Sequence, residues 1–504
     1  MKIIAVLVGI SLIWALPVRS EESHSHPAPE KLGRVSFPTS CAARVAHDFE
    51  RSVALLHSFA YAASEQSFRK VAAADPACAM AHWGIAMSYY HQLWIPPNTD
   101  DPRGEREIQE ARRLSGGATP RERQFIAAAA AFYADLSQTP LQRAKAYSDA
   151  MGEAARGNPK DTEVQAFYAL SLIAIAPPED ATHATQKRAA AILEPIYRAQ
   201  PQHPGAAHYL IHAYDNAELA PRALAAARAY SKIAPSAPHA LHMPSHTFTR
   251  LGLWDDSIVS NRAARAAAHE QGDQGEELHA MDYLTYAYLQ LGRVADAQRV
   301  AAELRTMGAT GAGEFKIGYA ATAMPVRLAI ERHAWNDAVQ LQTLPASAPH
   351  VAALIFWARA MANARGGNPG AADADIAQLE AAREQLRTAG NAYWATQVDV
   401  LDKEAKAWQL AAAANAADSV RLLRQAADEE DAVEKLPVTP GPVVPAREQL
   451  AELLLQLNQP ADALREFRAA LVLAPGRRGA LLGAAQAAER SGDQHTAQEM
   501  RAKL

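Results

Sequence analysis

The fold is decided by residues 201–250, PQHPGAAHYLIHAYDNAELAPRALAAARAYSKIAPSAPHALHMPSHTFTR. Prolines and histidine pairs recur in this stretch at a spacing of 34 residues: Pro201 and Pro235, Pro204 and Pro238, His208/His212 and His242/His246. A fixed period of this length is typical of a helical repeat, because each unit is one hairpin that buries its apolar face only against its neighbours. The sequence therefore predicts an all-α protein built from stacked helical hairpins.

The period continues outside this stretch. Ala463 recurs 34 residues later as Ala497, whereas Leu251-Gly252 and Leu291-Gly292 lie 40 residues apart, so that one unit is longer by six residues. The sequence resembles the tetratricopeptide repeat (TPR) family, and in particular bacterial exported repeat proteins that begin with a Cys-containing segment. The resemblance implies a right-handed superhelical solenoid, with a concave groove lined by the first helix of each unit.

The N-terminus predicts export. Lys2 is followed by the apolar run Ile3 to Leu16 and by small residues before Glu21, which is the pattern of a secretory signal peptide. We expect the mature chain to be periplasmic or secreted, and no other stretch is long and apolar enough to span a membrane. The predicted organisation is a signal peptide (1–20), a flexible segment (21–40), a repeat array with a His-rich groove (41–307), divergent helical hairpins (308–436), a Pro-rich linker (437–445) and C-terminal repeat units (446–504).

The composition bears on the partners of the protein and on the pairing of its cysteines. The 504-residue chain has a formal net charge of -5 and contains two cysteines. Because no long basic run occurs, a nucleic-acid partner is not expected. An exported protein folds under oxidising conditions, so Cys41 and Cys78 are predicted to form a disulfide; two buried free thiols are the alternative.

The paired histidines predict a metal site. Histidines at i and i+4 lie on one face of a helix, and the repeat places two such pairs on neighbouring helices about 8–10 Å apart. Four histidines form the core of the predicted site and two more extend it: His208, His212, His242 and His246, then His239 and His279. Imidazole ligands favour a transition metal such as zinc, copper or iron. Pro244 lies between His242 and His246, and its kink either prevents the two rings from binding one ion or tilts His246 inward. The alternative for the whole cluster is that the histidines line the groove without binding metal.

Two functions remain open at this point, and the sequence leaves undecided whether the protein is an enzyme. If the metal activates water for a small-molecule substrate, Asp215, Asp282 and Tyr286 are the candidate catalytic groups. The alternative is a non-enzymatic scaffold whose groove binds a peptide or protein partner, as the resemblance implies. The residues expected to line that groove are Asn216, Arg250, Gln290, His57, His91, Trp83, Tyr90 and Trp94.

Overall fold

The computed structural model describes residues 30–93, 102–307 and 315–504, and every regular element in these ranges is a helix. The predicted signal peptide and Trp94 lie outside the described residues. The α-helices of the first half are α1 (Ala46–His57), α2 (Tyr61–Ala74), α3 (Ala79–Tyr89), α4 (Pro102–Leu114), α5 (Pro120–Tyr133), α6 (Pro140–Gly157), α7 (Thr162–Ala174), α8 (Ala184–Ala199), α9 (Pro204–Ala213), α10 (Ala220–Ile233), α11 (Pro238–His242), α12 (Pro244–Arg250) and α13 (Trp254–Gln271).

The second half continues in the same way. Its α-helices are α14 (Gln274–Gln290), α15 (Val294–Met307), α16 (Phe315–Ile330), α17 (Trp335–Ala338), α18 (Pro349–Arg365), α19 (Asp373–Thr388), α20 (Ala392–Ala412), α21 (Ala416–Asp431), α22 (Ala446–Gln456), α23 (Pro460–Leu473), α24 (Arg478–Arg490) and α25 (Gln494–Arg501). Short 3₁₀ turns cover Ala43–Val45, Ser115–Gly117 and Pro369–Ala372. None of the described helices combines the length and the hydropathy of a membrane span.

Local sequence signals set the helix boundaries. Thr119 and Thr139 each form a capping box with the residue three positions later, and a proline follows each of them at the first helical position. At the other end, Gly272 terminates α13 in the left-handed conformation. Such signals recur along the chain, which is why the periodic pattern becomes a series of hairpins.

Consecutive hairpins stack on one another, as the sequence predicts. In the central part α9 packs on α10, α11 and α12 on α13, and α14 on α15. Apolar side chains form three successive core clusters, which span residues 32–248, 254–324 and 319–500. The chain from Lys31 to Leu504 is one compact unit. The fold is an all-α solenoid of helical hairpins.

Residues 30–40, the described part of the segment predicted to be flexible, pack against the core instead. Residues 30–40 have no helix, but Leu32 and Phe37 are buried in the first core cluster. Phe37 packs against the rings of Phe49, Trp83 and Phe125, so that aromatic burial holds this segment in place. Cys41 directly follows this segment, and it forms the predicted disulfide with Cys78.

The Pro-rich residues 437–445 do not form a linker. They run through the interior, and Thr439 is 6% exposed. The Arg327 guanidinium donates to the Thr439 hydroxyl and to the carbonyls of Gly441 and Pro442. A segment with four prolines has few N–H groups that need partners, and arginine satisfies its carbonyls, so that it can be buried without helix or sheet. We call residues 432–445 the buried strap.

The C-terminal hairpins return to the middle of the chain. The Trp254 indole donates to the Gly476 carbonyl at 3.0 Å, and the Arg478 amide donates to the Gln290 side chain at 3.0 Å. At this contact a Cβ on Gly252 would lie 2.4 Å from the carbonyl oxygen of Pro475, so only glycine permits the approach. The solenoid therefore contacts itself between units that are more than 180 residues apart.

Candidate metal centre

Helices α9, α11, α12 and α14 bring six histidines together in the interior. The first set is His208 and His212 on α9 with His239 on α11, and the second set is His242 and His246 with His279 on α14. Within each set the candidate ligand atoms all lie within 4.8 Å of one another. All six side chains are buried, and His212 is the most exposed of them at 6%. The two residues that the sequence placed at the edge of the site, His239 and His279, thus complete the two sets.

Pro244 interrupts the helix, but the histidines on either side of it, His242 and His246, stay close together. The chain turns at Met243 between α11 and α12, because proline cannot donate the next helical hydrogen bond. The Nε2 atoms of His242 and His246 nevertheless lie 3.0 Å apart, close to the 3.1 Å between those of His208 and His212. Both i, i+4 pairs therefore present two nitrogens to one point.

A second layer of acceptors fixes the orientation of four rings through their Nδ1 atoms. These contacts are His208 to the backbone carbonyl of His57 at 2.6 Å, His242 to the Asn261 Oδ1 at 2.7 Å, His246 to the Asp215 carboxylate at 2.9 Å and His239 to the Glu276 carboxylate at 3.2 Å. A carbonyl or carboxylate oxygen accepts only, so each Nδ1 carries the proton. The Nε2 atom of each neutral ring is then an unprotonated ligand atom.

The orientation of Asn261 supports this tautomer assignment. Its Nδ2 donates to the Ser257 carbonyl at 2.8 Å, which leaves Oδ1 as the atom that faces His242. The Ser245 hydroxyl also donates to the same Oδ1. Since Asn261 is fully buried, no solvent competes for these contacts.

The interior keeps five of the six imidazoles neutral at neutral pH. Burial, reinforced by the neighbouring histidines, lowers the pKa of His208, His212, His242 and His279 well below the usual value. For His246, burial lowers the pKa to about 4 although Asp215 opposes the shift. Neutral imidazole is the form that binds a metal ion, so these histidines do not have to lose a proton before they bind one.

The two carboxylates in the second layer are already balanced by cations. Burial alone would raise the pKa of Asp215, but Lys435 from the buried strap and Arg250 outweigh it and hold that pKa well below its usual range. Likewise, Lys316 and His239 overcome the burial of Glu276 and keep its pKa low. Asp215, one of the three candidate catalytic groups, is therefore ionised, and its carboxylate accepts a hydrogen bond from the His246 ring.

A further buried network, which the sequence did not reveal, lies beside the first set. Glu163 on α7 accepts from His57 at 2.8 Å and from His203 at 3.0 Å. The other ring nitrogen of His203 accepts from the Ala206 amide, and that of His57 contacts the Tyr209 hydroxyl. Because these groups satisfy one another, the network is a structural support that fixes the His57 carbonyl behind His208.

The other two candidate catalytic groups, Asp282 and Tyr286, form hydrogen bonds with arginines. Asp282 accepts from Arg327 at 2.9 Å, and the Tyr286 hydroxyl accepts from Arg477 at 3.1 Å. The tyrosine at the cluster is Tyr283, whose hydroxyl is 3.4 Å from the His246 Nε2. The six-residue insertion is shared between α13 (18 residues) and α14 (17 residues). Tyr283 lies 37 residues after His246, about one helical turn before Tyr286, which the 40-residue spacing placed there.

The polar residues predicted for a peptide groove are engaged inside the protein. The Asn216 side chain accepts from the Leu219 amide, and Gln290 donates to Glu331. Arg250 binds Asp215 and also Glu434 of the buried strap. These contacts stabilise the fold, and the side chains of Asn216 and Gln290 are buried at 2% and 3% exposure.

The predicted aromatic groove residues belong to the core. Trp83 is fully buried against Phe68, Phe125 and Phe167, and Tyr90 is in contact with Phe132. His91 stacks on Tyr61 with ring centroids 4.0 Å apart, whereas His57 joins the Glu163 network. The 34-residue spacing of His57 and His91 therefore reflects the repeat and does not produce a shared site.

An aromatic side chain that we did not predict covers the first set. Phe59 has a left-handed backbone (φ 53°), and its ring centroid lies 4.4 Å from that of His208 and 5.4 Å from that of His239. A left-handed backbone is costly for a large side chain, so the packing around it must enforce this position. Phe59 and Tyr283 enclose the two histidine sets from different sides.

The similarity of the chain to known proteins is low. No protein-family model matches the sequence, and no curated protein matches it. Among solved structures, the chain is similar to the human IFIT1 dimer with m7Gppp-AAAA (12% identity, 84% of this chain and 89% of that chain covered, TM-score 0.35). It is also similar to the P58(IPK) TPR domain (12%, 89% and 99%, 0.23) and to yeast Tom70 (12%, 89% and 90%, 0.28).

Proposed function

We propose that this protein is an exported helical-repeat protein that binds a transition metal at its central histidine cluster. The observation that carries the proposal is the pair of Nε2 atoms of His242 and His246, 3.0 Å apart. Both rings use their Nδ1 protons on fixed acceptors, so that two lone pairs point at each other. A positive ion between or beside them makes this arrangement favourable, whereas burial opposes an extra proton.

The donor set indicates the kind of ion. Six imidazoles converge, and the nearby carboxylates of Asp215 and Glu276 contact ring nitrogens rather than the centre of either set. Zinc, copper, iron and nickel accept such nitrogen ligands, whereas magnesium and calcium require oxygen. Acceptors behind the ligating rings are the usual support of a protein metal site.

Metal analysis tests the proposal. The protein is purified without a His tag, reconstituted with zinc, copper or iron, and measured by plasma mass spectrometry beside a His208→Ala/His242→Ala variant. We expect at least about one ion per chain in the parent and loss of that ion in the variant. His495→Ala, which changes an exposed histidine, is the matched control. Circular dichroism and thermal melting establish that the variants are folded, and absence of metal from the reconstituted parent would refute the proposal.

Export is the second element of the proposal, and it rests on the sequence of residues 1–20. Cell fractionation with intact-mass measurement tests it. The expected result is a periplasmic or secreted chain that begins near Glu21, whereas a cytoplasmic chain with the full N-terminus would contradict export.

A further inference from the structure

The two histidine sets repeat one three-ligand design. Each consists of an i, i+4 pair and one histidine from the following repeat, so that the solenoid has built the same site twice. The sets are adjacent: ring centroids are 5.9 Å apart for His212 and His246, and 6.1 Å apart for His239 and His242. These separations are similar to those within a set, where His208 and His239 are 5.0 Å apart. Two ions held by the two sets would be close neighbours, as in sites where a pair of metals acts together.

Imidazole binds a metal ion as a neutral ligand, so neither set offers the ion a negative charge. The nearest carboxylates do not compensate a metal charge, because Asp215 is paired with Arg250 and Lys435, and Glu276 with Lys316. The cost of burying an ion rises steeply with its charge. Two divalent ions would bring four uncompensated charges into this interior, whereas two monovalent ions bring only two. Among the metals that imidazole binds well, copper is the one with a stable monovalent state.

We infer that the two sets hold a pair of copper ions, one per set, and that the reduced pair binds dioxygen. This inference rests on the proposed function. In the binding step each Cu(I) gives one electron and becomes Cu(II), and dioxygen takes both electrons and becomes peroxide. The net charge of the buried centre is unchanged, because the two new positive charges on copper are balanced by the two negative charges on peroxide. No proton is needed.

The enclosure of the site fits a small ligand. The six histidines are at most 6% exposed, Phe59 covers the first set, and the Tyr283 hydroxyl lies beside His246 and contacts the buried strap through the Thr439 carbonyl. A diatomic molecule passes through a protein interior by small fluctuations, whereas a bulky organic substrate would require the strap to leave. The arrangement therefore selects dioxygen over larger molecules.

Half-site variants test the pair separately from metal binding as such. His208→Ala/His212→Ala leaves only the second set intact, and His246→Ala/His279→Ala leaves only the first. Each protein is loaded anaerobically with Cu(I), its copper is counted, and oxygen uptake and the Cu(II) electron paramagnetic resonance signal are recorded after exposure to dioxygen. His495→Ala is again the control, and circular dichroism verifies folding.

The expected results differ clearly between the proteins. The parent binds about two copper ions, consumes one dioxygen per two coppers, and gives a weak resonance signal because the two Cu(II) spins couple. Each half-site variant binds about one copper, takes up oxygen at least about 10-fold more slowly, and shows the full signal of one isolated ion. One copper in the parent overturns the pair but leaves the proposed function intact. Two coppers with a full signal, or without oxygen uptake, overturn the dioxygen assignment. Absence of copper overturns the inference as a whole, and the proposed function is refuted only if zinc and iron are not bound either.

Discussion

Replacing Glu163 by glutamine probes the network that supports the first histidine set. Glu163 is 1% exposed and accepts hydrogen bonds of 2.8 Å from His57 and 3.0 Å from His203. A hydrogen bond to a charged group contributes about 1.5–3 kcal/mol and a neutral one about 0.5–1.5 kcal/mol. Glutamine keeps one acceptor oxygen, so one bond becomes neutral and weakens by about 1 kcal/mol, while the other histidine faces an amide N–H and its bond of about 1.5–3 kcal/mol is lost. We therefore expect Glu163→Gln to lower the free energy of unfolding by about 3 kcal/mol. Glu163→Ala removes both bonds and should cost about 3–5 kcal/mol.

Urea denaturation at 25 °C measures the difference, with the midpoint and the slope recorded for each variant. Glu153→Gln is the matched control: its carboxylate pairs with Arg156 at the surface and is 76% exposed, so we expect a change below about 0.5 kcal/mol. A Glu163→Gln protein as stable as the parent at pH 7 would refute the reasoning, since the buried carboxylate would then contribute nothing beyond a neutral amide.

The pH dependence gives an independent signature. Although burial alone would raise the pKa of Glu163, His203 and His57 outweigh it and hold the pKa below its usual range. A carboxyl with a depressed folded-state pKa contributes stability above its unfolded pKa of about 4.3, and this contribution is lost as the pH falls further. The difference between parent and Glu163→Gln should therefore be constant above about pH 6 and shrink below about pH 4.3. A difference that grows on acidification would contradict the assignment.

Three further outcomes follow from the structure. Gly205→Ala should lower the free energy of unfolding in urea by about 1–3 kcal/mol, because its Cβ would lie 2.5 Å from the His57 ring, whereas Gly116→Ala, with no atom within 4 Å, should be neutral. Asp215→Asn should weaken metal affinity about 10–100-fold in a chelator competition, since it alters the acceptor behind a ligating ring; unchanged affinity would exclude that role. Burial raises the pKa of Glu430 to about 8, so its contribution to stability is lost as pH rises from about 4.3 to 8, and Glu430→Gln should stabilise the protein by about 1–2 kcal/mol at pH 8 but not at pH 4.

The parts of the structure that the sequence predicts are those encoded by short-range periodicity. The 34-residue spacing specifies the hairpins, and i, i+4 geometry specifies that His208 and His212, like His242 and His246, present nitrogens to one point. Because both rules depend on neighbouring residues or on a constant repeat, they need no knowledge of distant contacts. The same rules failed at Tyr286, because the side chain of α14 that reaches His246 is Tyr283, about one helical turn earlier.

The parts that could not be predicted depend on residues far apart in the chain. Glu163 meets His57 across 106 residues, and Lys435 meets Asp215 across 220. No local pattern marks these partners, since an isolated glutamate on a helix is usually a solvated residue. The buried strap was misread for a related reason: its prolines indicate only that a helix ends, whereas the arginines that satisfy its carbonyls lie in other units.

The contact between the C-terminal hairpins and the middle of the chain changes how the protein should unfold. In an open repeat array each unit touches only its neighbours, so that the ends fray first and partial unfolding is common. Here the hydrogen bonds from the Trp254 indole to the Gly476 carbonyl and from the Arg478 amide to the Gln290 side chain join the C-terminal hairpins to the middle of the chain. Because these contacts hold the C-terminal hairpins against the central ones, we expect that the C-terminal hairpins do not unfold independently. Removal of the last hairpins would expose the interior of the central ones. The chain thus combines a modular sequence with the cooperativity of a globular domain.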